Sequence, residues 1–344
     1  MSETRYVYID FLKFVSFLLI IFLHTFATIG IGVFNGEGGE SETWRCIILL
    51  NATTRFSVPI FILCSGAMIL RKDTDDFAEF FRRRFSKIVI PYLFWGLIYE
   101  FSKGVTDIYI ILKDFLSMDV YYHFWFVYMI LIVYLFVPIL SGTLNNFNQS
   151  KLNYTLALWL CFSVHVSLKY LLSPYEFYDI VKIYAFPEFI GYFIAGWMIH
   201  NEKIKFPRLN GVTTFAIVSS IIGLLAYLVI FYSIELSRFY EGVFEPYFIA
   251  VAIGSLLIFK YCREHEDYFQ RHFKFTVKFS GLTYGGYLLH ALILNYVINF
   301  LTSGSDFVQN HTIIFCFVCA GLTGILTLSI IKIFSLIPIL RRFI

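Results

Sequence analysis

The chain has 344 residues, of which 58% are hydrophobic and only 15% are charged, and its formal net charge is +3. A soluble protein of this length could not bury so much apolar surface, so the composition excludes a soluble enzyme and predicts an all-α, polytopic membrane protein. The small net charge gives no reason to expect a nucleic-acid partner.

Windows of about 20 apolar residues predict the membrane-spanning helices. In chain order these windows are 9–33, 45–70, 86–103, 123–143, 153–172, 180–200, 212–234, 240–260, 281–302 and 312–337, which makes ten spans. The stretch 105–118 is too short to span and has polar residues interleaved, so we predict an interfacial or re-entrant helix there. No soluble domain interrupts the spans, and residues 1–344 are treated as a single membrane domain.

The distribution of lysine and arginine predicts the orientation of the chain. With the N-terminus inside, 18 basic residues fall in the inner segments and six on the opposite side. The loop 34–43, which would lie outside, is acidic and rich in glycine. Both termini are therefore predicted to be cytoplasmic.

The first span carries two ionisable residues, Lys13 and His24, which are eleven positions apart. At 100° per residue this separation is about 20° past three full turns, so both side chains lie on one face, about 16 Å apart along the axis. Lys13 could simply extend to the inner headgroups, and His24 could make a hydrogen bond between helices. The functional alternative is that both line a polar cavity, where a neutral imidazole can accept a proton.

The second span contains Arg55, followed by Pro59, which frees a backbone carbonyl one turn earlier. A permanent charge at this depth requires a carboxylate, water or a ligand as its partner. Glu188, after Pro187 in the sixth span, and Glu100 in the third span are the candidate counter-ions. Glu188 is equally a candidate for direct catalytic use.

A basic cluster of Arg82, Arg83, Arg84 and Lys87 lies just before the third span. Such a cluster is sufficiently explained as a topology signal. It is also a concentrated positive field at the membrane entrance, suited to a polyphosphate such as coenzyme A. The two interpretations are compatible.

Polar and aromatic residues also occur in the fourth and ninth spans. His123 and Trp125 stand at the outer start of span four. In span nine, Tyr284, Tyr287 and His290 follow at intervals of three and spread over an arc of about 120° of the helix, so they share no single narrow face. His290 is either a site residue or a packed core histidine.

The six cysteines are scattered, and the pair Cys316 and Cys319 has no second ligand pair. They are interpreted as packing residues, and no metal is expected. The sequence also has no Walker, HExxH or GxSxG motif, so nucleotide hydrolysis, zinc proteolysis and serine hydrolysis have no local support.

Taken together, the segments resemble the acyltransferase-3 family of integral membrane O-acyltransferases. The resemblance extends over nearly the whole chain, through the blocks YIDFLKFVSFLLIIFLH, RFSVPIFILCSG, RRRFSKIVIPYLFW, HFWFVYMILIVYLFVP, FIGYFIAGWMI and TYGGYLLH. It implies a ten-helix core that transfers an acyl group, usually acetyl, from cytoplasmic acyl-coenzyme A to a sugar hydroxyl at the outer face. Family members carry an arginine where this chain has Lys13, so the charge is kept and the bidentate fork is lost.

The resemblance assigns roles to the candidate residues as expectations. In the chemistry, His24 is expected to act as a general base towards the acceptor hydroxyl or, alternatively, as an acyl-histidine relay. The expected catalytic residues are His24 and Glu188. The residues expected to bind the acetyl-coenzyme A donor are Lys13, Arg82, Arg83, Arg84 and Lys87. The residues expected to bind the acceptor substrate are Arg55, His123, Trp125, Tyr284 and His290.

A second class of function remains open, a transporter or flippase of lipid-linked glycans in which His24 and Arg55 couple to substrate or protons. The absence of an inverted repeat argues against most secondary transporters. The expected partners of the enzyme are acyl-coenzyme A, a saccharide or lipid-linked saccharide, and the lipid bilayer. The expected location is the cell membrane, namely the cytoplasmic membrane of a bacterium. The oligomeric state and the acceptor stay open.

Overall fold

The computed structural model describes residues 5–39, 41–70, 77–172, 181–204, 209–302 and 311–344, with the backbone alone at 181–188. Within these ranges the regular secondary structure is entirely helical. The predicted all-α fold is confirmed. The helices numbered here are those of the described ranges.

Fifteen α-helices follow one another along the described part of the chain. They are α1 (Val7–Glu37), α2 (Glu42–Thr54), α3 (Ser57–Ile69), α4 (Phe77–Ser102), α5 (Ile108–Ser117), α6 (Trp125–Leu135), α7 (Val137–Leu144), α8 (Gln149–Leu172), α9 (Val181–His200), α10 (Gly211–Glu235), α11 (Ile249–Glu264), α12 (Glu266–His272), α13 (Val277–Ser280), α14 (Thr283–Thr302) and α15 (Thr312–Leu336). Short 3₁₀ turns occur at Gly242–Phe244, Lys274–Thr276 and Leu340–Phe343.

Length and composition qualify seven segments of the described chain as membrane spans, and eight if α6 and α7, which meet at 48°, form one bent span. The protein is therefore a multi-pass membrane protein. Helices α4 and α9 coincide with the third and sixth predicted spans without meeting the same criterion. Ten spans with both termini inside remain a prediction. The stretch 105–118 contains the short helix α5, whose apolar side chains are mostly exposed.

Helix α1 occupies the centre of the bundle and packs against α2, α3, α14 and α15. Its side chains Phe17 and Ile21 are buried. Because Lys13 and His24 are on this central helix, both face protein on several sides. This position is where a membrane protein places polar groups that serve a function.

Helices α3 and α9 cross with their backbones in contact. A Cβ atom on Gly66 would lie 1.8 Å from the carbonyl oxygen of Phe193, and one on Gly196 would lie 2.1 Å from that of Leu63. Only hydrogen fits at either position, so both glycines are required by the close approach. The crossing holds α3, and with it Arg55 and Ser65, in a defined place in the bundle.

The second span is interrupted at Arg55 and Phe56, between α2 and α3. Pro59 has no N–H group, so the carbonyl of Arg55 lacks its intrahelical donor. Hydrogen bonding resumes where Ile60 N–H donates to the carbonyl of Phe56 at 3.0 Å. The carbonyl that Pro59 is expected to free thus lies at this break, where the Arg55 side chain is largely buried.

The first turns of α1 are held by the segment that contains α12 and α13. Arg5 donates to the Asp10 carboxylate at 2.8 Å, and the Ser280 hydroxyl donates to it at 2.5 Å. The rings of Phe11 and Phe269 pack at 4.8 Å. These contacts fix the end of α1 that precedes Lys13.

Candidate active site

A cavity of about 760 Å³ lies at the end of the bundle where α14 begins. Five basic side chains line it, and no carboxylate does among the residues described. The basic residues are Lys13 from α1, Arg84 and Lys87 from α4, and Arg341 and Arg342 after α15. The cavity is therefore a strongly positive compartment in the half of the bundle that the sequence predicts to be cytoplasmic.

The basic residues of the cavity differ from others near it in lacking ion pairs. In the described structure none of the five forms a salt bridge, whereas Arg82 and Arg83 both pair with Glu79. Hydrogen bonds from Arg82 and Arg83 hold the pKa of Glu79 below its usual value. The side chains of Arg82 and Arg83 are 76% and 70% exposed and do not line the cavity. The helix turns these two residues outward, so the structure separates them from Arg84 and Lys87 of the same basic cluster.

Three aromatic rings close the inner end of the cavity. The rings of Phe126 and Tyr287 have centroids 5.3 Å apart, and those of Phe61 and Phe126 are 6.5 Å apart. The Tyr287 hydroxyl donates to the backbone carbonyl of His123. Tyr284 lines the same cavity and donates to the carbonyl of Ile88 at 2.8 Å. Tyr284 thus belongs to the cationic cavity, one helical turn away from its closed end.

Beyond the closed end lie three imidazole rings, His24, His123 and His290, called the histidine cluster below. Ring centroids are 5.2 Å apart for His24 and His290, 5.1 Å for His123 and His290, and 6.4 Å for His24 and His123. The three come from α1, the turn before α6, and α14, far apart in sequence. The structure thus brings together three of the residues predicted for the site.

The backbone determines which ring nitrogens of the cluster can accept a proton. His290 Nδ1 lies 2.6 Å from the carbonyl of Tyr287, and His123 Nε2 lies 3.4 Å from that of Leu288. A carbonyl oxygen only accepts, so each of these nitrogens carries hydrogen in the neutral ring, and the other nitrogen is an acceptor. His290 Nε2 and His123 Nδ1 are buried without a hydrogen-bond partner. These two atoms are free to accept hydrogen bonds from a ligand.

His24 differs from its two neighbours because it is only partly buried and makes no hydrogen bond to the described residues. The ring of Tyr122 lies 4.9 Å from it, in edge-on contact. Both nitrogens of His24 are therefore available, one as donor and one as acceptor. Among the residues described, no group of three or more His, Cys, Asp and Glu side chains is placed to hold a metal ion.

Arg55 lies near the histidine cluster, and its positive charge acts electrostatically on His24. Its guanidinium is 3.7 Å from the carboxylate of Glu241 and 4.2 Å from the centre of the Phe244 ring. Nε and Nη2 of Arg55 are buried without a hydrogen bond. The guanidinium therefore keeps unused donors beside the cluster.

One expectation about acidic partners needs correction. Glu100 pairs with Lys103 at 2.7 Å, so it is not the counter-ion of Arg55. The partner, Glu241, lies in the turn after α10, and sequence analysis missed it because a loop carboxylate gives no signal of its contacts. The side chain of Glu188 lies outside the described residues.

Trp125 does not join the histidine cluster. Its ring packs against Phe189 at 5.5 Å, and 38% of its surface is exposed. The structure therefore gives Trp125 a packing contact with α9 and places it apart from the residues that surround His24.

Arg341 and Arg342 were missed as site residues because sequence analysis counted them only for topology. Their spacing from the last span places them at the same side of the membrane as Lys13, which is the one signal that could have pointed to the cavity. Their position there depends on how the chain folds back after α15.

The fold and site define an integral membrane protein with a cationic cavity that ends at a cluster of histidines on a central helix. The family model described as an acyltransferase domain, Acyl_transf_3, matches residues 6–330. The chain belongs to this acyltransferase-3 family, as its resemblance indicated, and it is a membrane acyltransferase. Comparison with the curated proteins and with the solved structures gives no match.

Proposed function

We propose that this protein transfers a short acyl group, acetyl, from cytoplasmic acyl-coenzyme A to a hydroxyl of a cell-surface or lipid-linked saccharide. The observation that carries the proposal is the cavity with five cations lacking ion pairs in the described structure, whose closed end touches the histidine cluster. Membership of the acyltransferase-3 family favours this enzyme over the transporter considered above.

The donor assignment is supported by the distribution of charge in the cavity. Cations without carboxylate partners are suited to phosphate groups, which form strong charge-assisted hydrogen bonds with Arg and Lys. The volume of about 760 Å³ lies in the range of ligand pockets, about 300–1,000 Å³. The phosphates of coenzyme A would lie among the cations, and its thioester would point towards Phe61, Phe126 and Tyr287.

The closed end of the cavity favours a small acyl group. Phe126 packs against both Phe61 and Tyr287, with ring centroids 6.5 Å and 5.3 Å away, and this packing favours a small group over a long chain. This packing supports acetyl over a larger acyl group as the transferred group.

His24 is the proposed general base. It accepts the proton of the acceptor hydroxyl while the oxygen attacks the thioester carbonyl. When the tetrahedral intermediate collapses, the C–S bond breaks, the coenzyme A thiolate leaves, and the His24 imidazolium returns the proton to it. Transfer through an acyl-histidine formed on His24 is the alternative route. Glu188 stays a proposed catalytic residue from sequence alone.

The acceptor is proposed to lie on the opposite side of the histidine cluster from the cavity. His123 Nδ1 and His290 Nε2 can accept hydrogen bonds from its hydroxyls, and Arg55 can donate to its oxygens. The aromatic surface of Tyr122 beside His24 offers a face for a sugar ring. A saccharide, which carries many hydroxyls, satisfies all of these groups together.

Mass spectrometry of surface glycans tests the function. Bacterial cells that express the protein should carry acetyl esters that are absent from cells lacking it. Purified protein in lipid nanodiscs should transfer labelled acetyl groups from acetyl-coenzyme A to glycan extracted from the deficient cells. Glycans that are identical with and without the protein, together with no labelling in the purified system, would contradict the proposal.

A further inference from the structure

The residues that follow α15 fold back onto the entrance of the cavity. In this C-terminal segment, Leu340–Ile344, the Phe343 carbonyl accepts a hydrogen bond from the Trp95 indole at 2.9 Å. The Phe343 ring stacks on Phe94 with centroids 4.3 Å apart and planes 18° from parallel. A Cβ on Gly285 would lie 3.0 Å from Ile344. The segment is thus anchored to α4 and α14, two of the helices that line the cavity.

This anchoring brings two guanidinium groups to the cavity. Arg341 and Arg342 line it, both are exposed, and neither forms an ion pair with the residues described. The basic residues of α11 behave differently: Arg263 pairs with Glu266 at 2.7 Å, and Lys260 with Glu264 at 2.8 Å. The protein neutralises those cations locally and leaves the two of the C-terminal segment without a carboxylate.

The chemistry of the side chains suggests what the segment adds to the cavity. Lys13 presents a compact point charge, whereas a guanidinium offers a planar fork that binds a phosphate through two parallel hydrogen bonds. Arg341 and Arg342 supply two of the three such forks in the cavity, and Arg84 supplies the third. Geometry-specific phosphate recognition here therefore depends largely on the C-terminal segment.

We propose that Arg341 and Arg342 bind phosphate groups of the donor, so that the C-terminal segment is a functional part of the donor site. This inference rests on the proposed function and extends it to residues beyond the family match, which ends at residue 330. A lipid headgroup offers the same phosphate chemistry, so the experiment has to separate lipid from coenzyme A.

Equilibrium binding of coenzyme A to the purified protein tests the inference without knowledge of the acceptor. In nanodiscs of phosphatidylcholine, the double variant R341Q/R342Q should bind coenzyme A at least about tenfold more weakly than the wild type, since two charge-assisted contacts are lost. Its affinity should also depend less on salt. The R341K/R342K variant should retain part of the affinity, because it keeps charge and loses the forks.

The matched control is R82Q/R83Q, which removes the same net charge from exposed arginines that do not line the cavity. It should bind coenzyme A within about twofold of the wild type, since charges outside the cavity act on the ligand only through solvent. Equal losses in both double variants would show a general charge effect and overturn the inference. Gln at 341 and 342 replaces exposed side chains, and an unchanged unfolding temperature verifies folding.

The remaining outcomes are distinct. If R341Q/R342Q binds coenzyme A as tightly as the wild type, the inference fails while the proposed donor stands. If the wild type itself does not bind coenzyme A, the proposed donor fails with it. Repeating the titration with anionic phosphatidylglycerol in the nanodiscs separates the two phosphate sources. If the variant and the wild type bind coenzyme A equally in phosphatidylglycerol nanodiscs, the arginines are assigned to lipid and the inference is overturned.

Discussion

The cationic cavity and the histidine cluster meet at Tyr287, yet the ionisable groups of the cavity are charged and those of the cluster are neutral rings. In the cavity, five permanent or nearly permanent charges face open space without carboxylates in the described part of the chain. In the cluster, His123 and His290 are buried, and each donates a ring N–H to a backbone carbonyl. One region is built on charge, the other on neutral rings with defined hydrogen positions.

The difference shows what each region is suited to handle. A fixed cation is tolerated in a membrane protein where water or an anion can reach it, so the cavity is matched to an anionic ligand. A buried imidazole avoids the cost of burying charge by staying neutral, and a neutral ring keeps an acceptor nitrogen. The cavity is therefore expected to govern donor affinity, and the histidine cluster the rate of transfer.

Replacing His24 should give the largest effect and separate the two regions most clearly. His24→Asn keeps a polar group of similar size but cannot accept the proton, so kcat should fall by about 10²–10⁴. Coenzyme A affinity, measured by titration, should stay near that of the wild type because the cavity is untouched. His165→Asn, which changes an exposed histidine on α8, is the matched control. A folded His24→Asn protein with near wild-type kcat would remove His24 from the chemistry.

A change in the scaffold should damage both regions together. In Gly66→Ala the added methyl would overlap the carbonyl of Phe193 at 1.8 Å, so α3 and α9 must separate. Overpacking of this kind costs about 1–3 kcal/mol and lowers the unfolding temperature in detergent. Gly223→Ala on α10, where nothing lies within 4 Å of the new Cβ, should leave stability unchanged or raise it. Equal unfolding temperatures for the two variants would contradict the contact between the helix backbones.

Substitution of Lys13 should affect the cavity alone. Lys13→Ala removes one of five cations and should raise the KM for acetyl-coenzyme A about tenfold, the equivalent of one charge-assisted contact, with kcat nearly unchanged. Lys13→Arg should stay close to the wild type, since it preserves the charge. A fall in kcat with constant KM for Lys13→Ala would place this residue with the histidine cluster.

Cysteine labelling should sharpen the comparison with almost no effect on activity, by showing which side of the membrane each region faces. After replacement of the exposed Cys46 and Cys161, a cysteine at Glu42 should react with an impermeant reagent from outside. One at Ser150 should react only after the membrane is opened. Ser41 is left intact because its hydroxyl caps α2. Equal labelling of both positions in intact cells would overturn the predicted topology.

Several features of the site were accessible from residues close together in the sequence. The helical repeat placed Lys13 and His24 on one face, and the structure puts both beside polar regions of the same central helix. Pro59 predicted the unpaired carbonyl of Arg55, because loss of an N–H is a local event. The resemblance that identified the family also rested on local blocks of sequence, and the family match covers most of the chain.

Contacts between distant segments were harder to foresee. Periodicity gave no reason to choose between Arg83 and Arg84, although one pairs with Glu79 and the other lines the cavity. His290 could equally have been a packed core residue, because its partners lie on α1 and before α6. Glu241 had no sequence signal that pointed to Arg55, and the spacing of Arg341 from the last span indicated only its side of the membrane.

The sequence by itself determined the membrane class, most helix positions and the family, because apolar length and local order depend on neighbours along the chain. Only the tertiary structure decided which charges stay without a carboxylate, which imidazole nitrogens remain acceptors, and where the C-terminal segment lies. Those properties arise from the hydrogen bonds of His123 and His290 to backbone carbonyls of α14, from the crossing of α3 with α9, and from the folding of residues 340–344 against α4 and α14. Backbone contact at Gly66 and the Trp95–Phe343 hydrogen bond are the physical reasons, and each joins residues more than 100 positions apart.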